Sequence, residues 1–236
     1  MLDYERASVF HVERSTTGSE VTLARNPSEL AKICADLGYR PSDIMQANCV
    51  IWVEGPSDRS YVRTWISSID TDLIEGVHYS IMFYGGRLLN HLSMRDPEVE
   101  DFISLRRLNR NIMIVIDSDK TSAHKHINAT KKRVRDEFNS NGEDGFAWIT
   151  DGYTIENYVP NDLLKRAVDA RYPRKPMQLP ADKWTNPLKR TDGFKYDKIK
   201  IANDVCSQWQ PEHMRSELRA EVERTVRLIR EANGIR

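Results

Sequence analysis

The chain of 236 residues has few cysteines, no net charge and no long apolar run. Its three cysteines, Cys34, Cys49 and Cys206, lie far apart and form no Cys-x-x-Cys pair. That argues against a thiolate zinc site and for a reducing cytoplasm. Lys and Arg number 35, and so do Asp and Glu. Overall charge therefore points to no partner, and any nucleic-acid surface must come from local clusters. No stretch approaches the roughly 20 apolar residues that span a bilayer. The opening Met1-Leu2-Asp3-Tyr4-Glu5-Arg6 has no apolar signal region, so no membrane partner is expected. The Gly-x-x-x-x-Gly-Lys-Ser/Thr phosphate loop is also missing, as are internal repeats and low-complexity tracts.

Two stretches stand out among what is present. Cys49-Val50-Ile51-Trp52-Val53-Glu54-Gly55-Pro56-Ser57-Asp58 reads as a buried strand running into a carboxylate, a turn and a helix start. Ile112-Met113-Ile114-Val115-Ile116-Asp117-Ser118-Asp119 repeats the design. Strands are expected at 49–54, 79–84, 112–116 and 145–150. They alternate with helices that follow Ser57, at 87–108 and at 125–139. This alternation predicts an α/β fold, a parallel sheet flanked by helices. Right-handed crossovers then place all strand C-termini on one edge, where ligands of such sheets bind.

The flanks are less regular. Residues 8–25 read as a β-hairpin turning at Thr16-Thr17-Gly18-Ser19, and a helix follows Asn26-Pro27-Ser28-Glu29. Beyond the sheet, 160–170 reads as a helix and 171–190 as proline-rich loop. Two helices close the chain, at 199–209 and 211–233. Three regions result: 1–45, 46–160 as the core, and 161–236 as a basic loop with C-terminal helices.

On a parallel sheet Glu54, Asp58, Asp117 and Asp119 meet at one rim, and if strand geometry persists Asp117 and Asp119 leave the same face. Clustered carboxylates repel unless a cation sits among them, and hard oxygen donors suit Mg²⁺ or Mn²⁺. Two such ions can clamp the attacking and leaving oxygens of a phosphodiester. Plainer roles exist: Glu54 as a turn residue, Asp58 as a helix cap, and an acid pair of the kind used by receiver domains or haloacid-type phosphatases.

Val53-Glu54-Gly55-Pro56-Ser57-Asp58 and Val115-Ile116-Asp117-Ser118-Asp119 together resemble the Toprim domain of topoisomerases, primases and some nucleases. Leu37-Gly38-Tyr39-Arg40-Pro41-Ser42-Asp43, Phe83-Tyr84-Gly85-Gly86-Arg87-Leu88-Leu89 and Thr150-Asp151-Gly152-Tyr153-Thr154-Ile155-Glu156-Asn157-Tyr158-Val159-Pro160 extend the likeness. The five segments are similar, in order, to the OLD (overcoming lysogenization defect) family, in which an ATPase domain precedes a Toprim nuclease. The resemblance implies a Toprim-type, Rossmann-like core and a Mg²⁺- or Mn²⁺-dependent endonuclease acting on DNA with two ions. Glu54 and Asp58 would hold one ion, Asp117 and Asp119 the other, and Glu156 would add a carboxylate unless it only orients the turn before Asn157. Lys198, with Lys200 as its rival, would stabilise transition-state charge. ATP would act only in a preceding domain, of which residues 1–45 would be the remnant or link, unless the chain is a stand-alone nuclease. A homodimer would form through that ATPase domain. The implied setting is the prokaryotic cytoplasm, in phage defence or DNA processing. RNA cleavage by the same site and a non-catalytic Toprim-like interaction module are the alternatives.

For nucleic acid, residues 161–200 hold eleven Lys and Arg against five Asp and no Glu, an excess of six positive charges. Lys131, Lys132, Arg133 and Arg135 form a second group. Trp148, Tyr153, Tyr158 and Trp184 suit either base stacking or packing.

Overall fold

The computed structural model describes residues 10–15, 18–23, 48–85, 89, 111–140 and 145–235. The expected helices at 26–38 and 87–108 lie outside them. The chain divides into two compact units, Met1–Gln46 and Ala47–Arg236. In the first, β1 (Phe10–Ser15) and β2 (Gly18–Leu23) form an antiparallel hairpin. Its register sets Ser15 opposite Gly18, so Gly18 belongs to the ladder rather than to the turn.

The second unit is built on four parallel strands: β3 (Val50–Val53), β4 (Ser80–Phe83), β5 (Ile112–Ile116) and β6 (Gly145–Ile149). Their order is β4-β3-β5-β6. Both central strands are buried at every position, as a sheet covered on two faces requires. Alternate residues Cys49, Ile51, Val53, Met113, Val115, Phe146 and Trp148 join one large core cluster. Ile112, Ile114 and Ile116 are buried outside it, as a period of two demands.

Helix α1 (Pro56–Ile69) supplies Val62, Trp65 and Ile66 to that cluster. Helix α2 (Ala129–Asn139) packs on β5 and β6 through buried Val134 and Phe138. It starts later than the expected 125, because the Asn128 side chain accepts from the Lys131 amide and fixes the cap there. After β6 come a short 3-10 turn (Ile155–Tyr158) and α3 (Asn161–Arg171), then α4 (Lys198–Ser207) and α5 (Ser216–Ala232). A separate 3-10 turn, Pro211–His213, precedes α5 where one unbroken helix was expected. Arg215, extended at ψ 164°, sits between the two. α1 packs against α4 and α5, so these C-terminal helices share the sheet's core. The fold is α/β, a parallel sheet flanked by helices with a helical and loop elaboration after it, consistent with a Rossmann-like, Toprim-type arrangement. Among the described residues no helix is long and apolar enough to cross a membrane.

Candidate active site

The strand order places the acids. From β3 the chain moves outward to β4, then returns past β3 to β5 and β6. The order reverses between β3 and β5, which is where open α/β sheets bind ligands. Glu54 follows β3 directly and Asp117 follows β5 directly.

Asp58 sits in the first turn of α1. Its Oδ2 accepts from the Glu54 and Gly55 amides at 3.0 and 3.2 Å, and its Oδ1 accepts from the Ser57 hydroxyl at 3.1 Å. It thus fixes the turn that presents Glu54. This is the capping role, and the carboxylate also feels Glu54 and Glu156.

The segments after β5 and β6 are stitched together. The Ile155 amide donates to Asp117 Oδ1 at 2.8 Å. Asp119 N donates to the Tyr153 carbonyl at 3.0 Å, the Ser118 amide to the Thr150 hydroxyl at 2.9 Å, and the Ser118 hydroxyl to the Gly152 carbonyl at 2.6 Å. Gly152 is required here: a Cβ on it would lie 2.6 Å from Asn157 Cβ and 2.8 Å from the Lys183 carbonyl. This stitching brings Glu156, 1% exposed, to the rim.

Strand geometry does not persist through Asp117-Ser118-Asp119. Asp119 adopts φ 52°, in the left-handed region. Asp117 accepts from the Ile155 amide, whereas Asp119 pairs with Lys131. Lys131 is 2% exposed, and its Nζ also donates to the Asp117 carbonyl at 2.9 Å. Lys131, one of the basic group expected to meet phosphate, is instead an internal cation of the site. Lys198 Nζ lies 3.0 Å from Glu156 Oε1, while Lys200 pairs with Asp197. Tyr84, just beyond β4, donates to the Val115 carbonyl at 3.0 Å. Burial, then Glu54 and Asp117, hold its hydroxyl proton well above the usual range, so its ring belongs to the same neighbourhood.

The carboxylates share one field. Burial pushes Asp58 up to about 7, and Glu156 and Glu54 add to it. Burial also holds Asp117 well above the carboxylate range, with Asp58, Glu156 and Glu54 pushing the same way. Glu54 is raised by burial too, against the pull of Lys198 and Lys131. Burial lowers Lys198, but Glu156, Asp117 and Asp58 more than reverse that, so it stays protonated.

Five carboxylates face two ammonium groups, a formal −3 when all are ionised. Both Glu156 oxygens are buried without a hydrogen-bond donor, leaving only the Lys198 ion pair. Excess negative charge and unsatisfied hard oxygens fit a divalent cation. Among the described residues, however, no group of three or more His, Cys, Asp or Glu side chains is arranged to hold a metal as it stands. The donors suit the ion in chemistry, and Asp58 and Asp119 are already engaged with protein partners.

The basic segment 161–200 is less available than its charge suggests. Eight of its eleven cations, Lys165, Arg166, Arg171, Lys175, Lys183, Arg190, Lys198 and Lys200, pair with carboxylates. Trp148 and Tyr158 pack on each other and on Trp65 in the core, so neither stacks bases. Trp184 is half-buried, with Lys120 and Lys183 each 5.0 Å from its ring centre. The chain matches no family model, no curated protein and no solved structure.

Proposed function

We propose that this chain is a Mg²⁺- or Mn²⁺-dependent endonuclease that hydrolyses DNA phosphodiester bonds at the rim between β3 and β5. In that reading it is the C-terminal nuclease part of an OLD-family ATPase–nuclease, cytoplasmic and prokaryotic, with ATP acting only in a preceding domain. One observation carries it: acids from three separate segments share the switch-point edge with too few cations to balance them.

Glu54, Asp117 and Glu156 would hold the ions, with Asp58 and Asp119 closing the set. A bound cation supplies Lewis acidity and lowers the pKa of a coordinated water. The chain's own groups do the rest. Asp58 orients the Glu54 turn through two amides. Glu54 is half-buried with a raised proton affinity, which suits proton transfer near the reacting phosphate. Lys198 stays charged beside Glu156 and can offset charge that develops on phosphate oxygens.

Supercoiled plasmid and tRNA incubated side by side with Mn²⁺ test the reading. Plasmid is expected to be nicked or cut. Glu54→Ala and Asp117→Ala should each lose more than the roughly 10–100-fold that loss of an outer-shell partner costs. Cleavage of tRNA alone would move the substrate to RNA, and unchanged activity in both variants would remove these residues from the site.

A further inference from the structure

Beside the acid rim lies a cavity of about 920 Å³, bounded by α2, the loop before it, the end of β6 and the start of α5. Its walls differ in sign. Lys120, Lys125, His126, Lys132 and Arg135 line it from α2 and the loop before it. Asp151, Glu217 and Glu221 line it from the turn after β6 and from α5. Arg135 pairs with Asp136, and Lys183 pairs with Asp151. Lys120, Lys125 and Lys132 have no carboxylate partner among the described residues. Glu221 is half-buried, and its Oε2 is buried without a hydrogen-bond donor.

Two of the groove's lining residues, Lys120 and Thr150, are bonded to Ser118, which lies between Asp117 and Asp119. Lys120 follows Asp119, and its amide donates to the Ser118 hydroxyl at 3.2 Å. Thr150, which lines the groove, accepts from the Ser118 amide.

We propose that this groove seats a single nucleic-acid strand, with its phosphates along the lysine wall and base amino groups turned to Glu221. The proposal rests on the nuclease reading and deepens it by naming the form of the substrate. A single strand carries phosphate on one side and base edges on the other, which matches a groove of two signs. A duplex carries phosphates on both sides, so the acid wall repels one of its backbones. Unpaired lysines neutralise phosphates, and Glu221, which lines the cavity, offers a carboxylate acceptor for a base amine. Adenine, cytosine and guanine offer an exocyclic amine, and thymine does not. Eight of the eleven cations of the 161–200 segment are paired, which leaves Arg174, Lys189 and Lys195 as the rival phosphate surface.

Fluorescence anisotropy of the full chain in EDTA, with labelled oligo-dC, oligo-dT and a hairpin duplex, tests it. The strand should bind more tightly than the duplex, and oligo-dC several-fold more tightly than oligo-dT. The double variant Lys125→Gln/Lys132→Gln, at two exposed positions, should weaken binding about 10-fold. Its salt slope should fall by about 1.4, two contacts at about 0.7 each for single strands. Glu221→Ala should erase the preference for oligo-dC, and Arg227→Gln on the same helix should change nothing. No strand binding, unchanged binding in the double variant, or loss caused instead by Arg174→Gln/Lys189→Gln would each overturn the groove. The two readings fail separately. A strand bound in the groove but never cut with Mn²⁺ sinks the nuclease alone. Mn²⁺-dependent cleavage with unchanged KM in the double variant sinks the groove alone.

Discussion

Replacing Lys131 with Met should destabilise the protein far more than a lysine in a Lys-Lys-Arg run would suggest. Met keeps most of the apolar stem, so the change removes the ammonium rather than opening a cavity. Two interactions go. The bond to the Asp117 carbonyl, at 2.9 Å, is charge-assisted and worth about 1.5–3 kcal/mol. The pair with Asp119 is worth less, because that side chain is 37% exposed and solvent screens it, so about 0.2–1 kcal/mol. Relief of the buried ammonium's desolvation offsets part of the sum. The net expectation is a loss of about 2–3 kcal/mol in urea denaturation at unchanged m. At about 2–4 °C per kcal/mol for a chain of this size, Tm falls by about 4–12 °C. A loss below about 0.5 kcal/mol, the level of an ordinary surface change, would refute the assignment of Lys131 as an internal cation.

Two further outcomes follow from the site. Gly152→Ala should cost about 1–3 kcal/mol by overpacking, because its Cβ meets Asn157 and the Lys183 carbonyl; wild-type stability would contradict the tight stitching of the Glu156 segment. In metal-free buffer, Asp58→Asn should gain stability relative to wild type as pH rises from about 4 to about 7. The sign follows from linkage: folded Asp58 holds its proton up to about 7, above the unfolded value near 3.9, so the wild type loses stability across that window and the amide does not. A difference that stays flat with pH would show that Asp58 is not in the common field.

The sheet was legible because β3 and β5 are short apolar runs, each ended by an acid, and a run buried on both faces leaves few other solutions. Glu54 and Asp117 could be set on one edge from the alternation of elements alone. Other features depend on the fold. Lys131 sits in the first turn of α2 between exposed Lys132 and buried Thr130, and no local pattern says that it points inward. Asp119 takes a left-handed conformation that favours glycine, so the same-face expectation for Asp117 and Asp119 failed at a single dihedral angle. The charge count over 161–200 could not anticipate Arg171 with Asp204 or Lys183 with Asp151, pairs that join distant segments. The groove beside α2 draws on 120–135, 149–158 and α5, and no one of these announces it.

Everything functional depends on whether the acids behind β3 and β5 accept a divalent ion. Crystals soaked in Mn²⁺ and measured for anomalous scattering answer this directly. The account predicts at least one Mn²⁺ within coordination distance, about 2.0–2.6 Å, of Glu54 and Asp117 oxygens, with Glu156 drawn in. Well-occupied Mn²⁺ elsewhere on the molecule, with Glu54 and Asp117 bare and Lys198 still on Glu156, would contradict it.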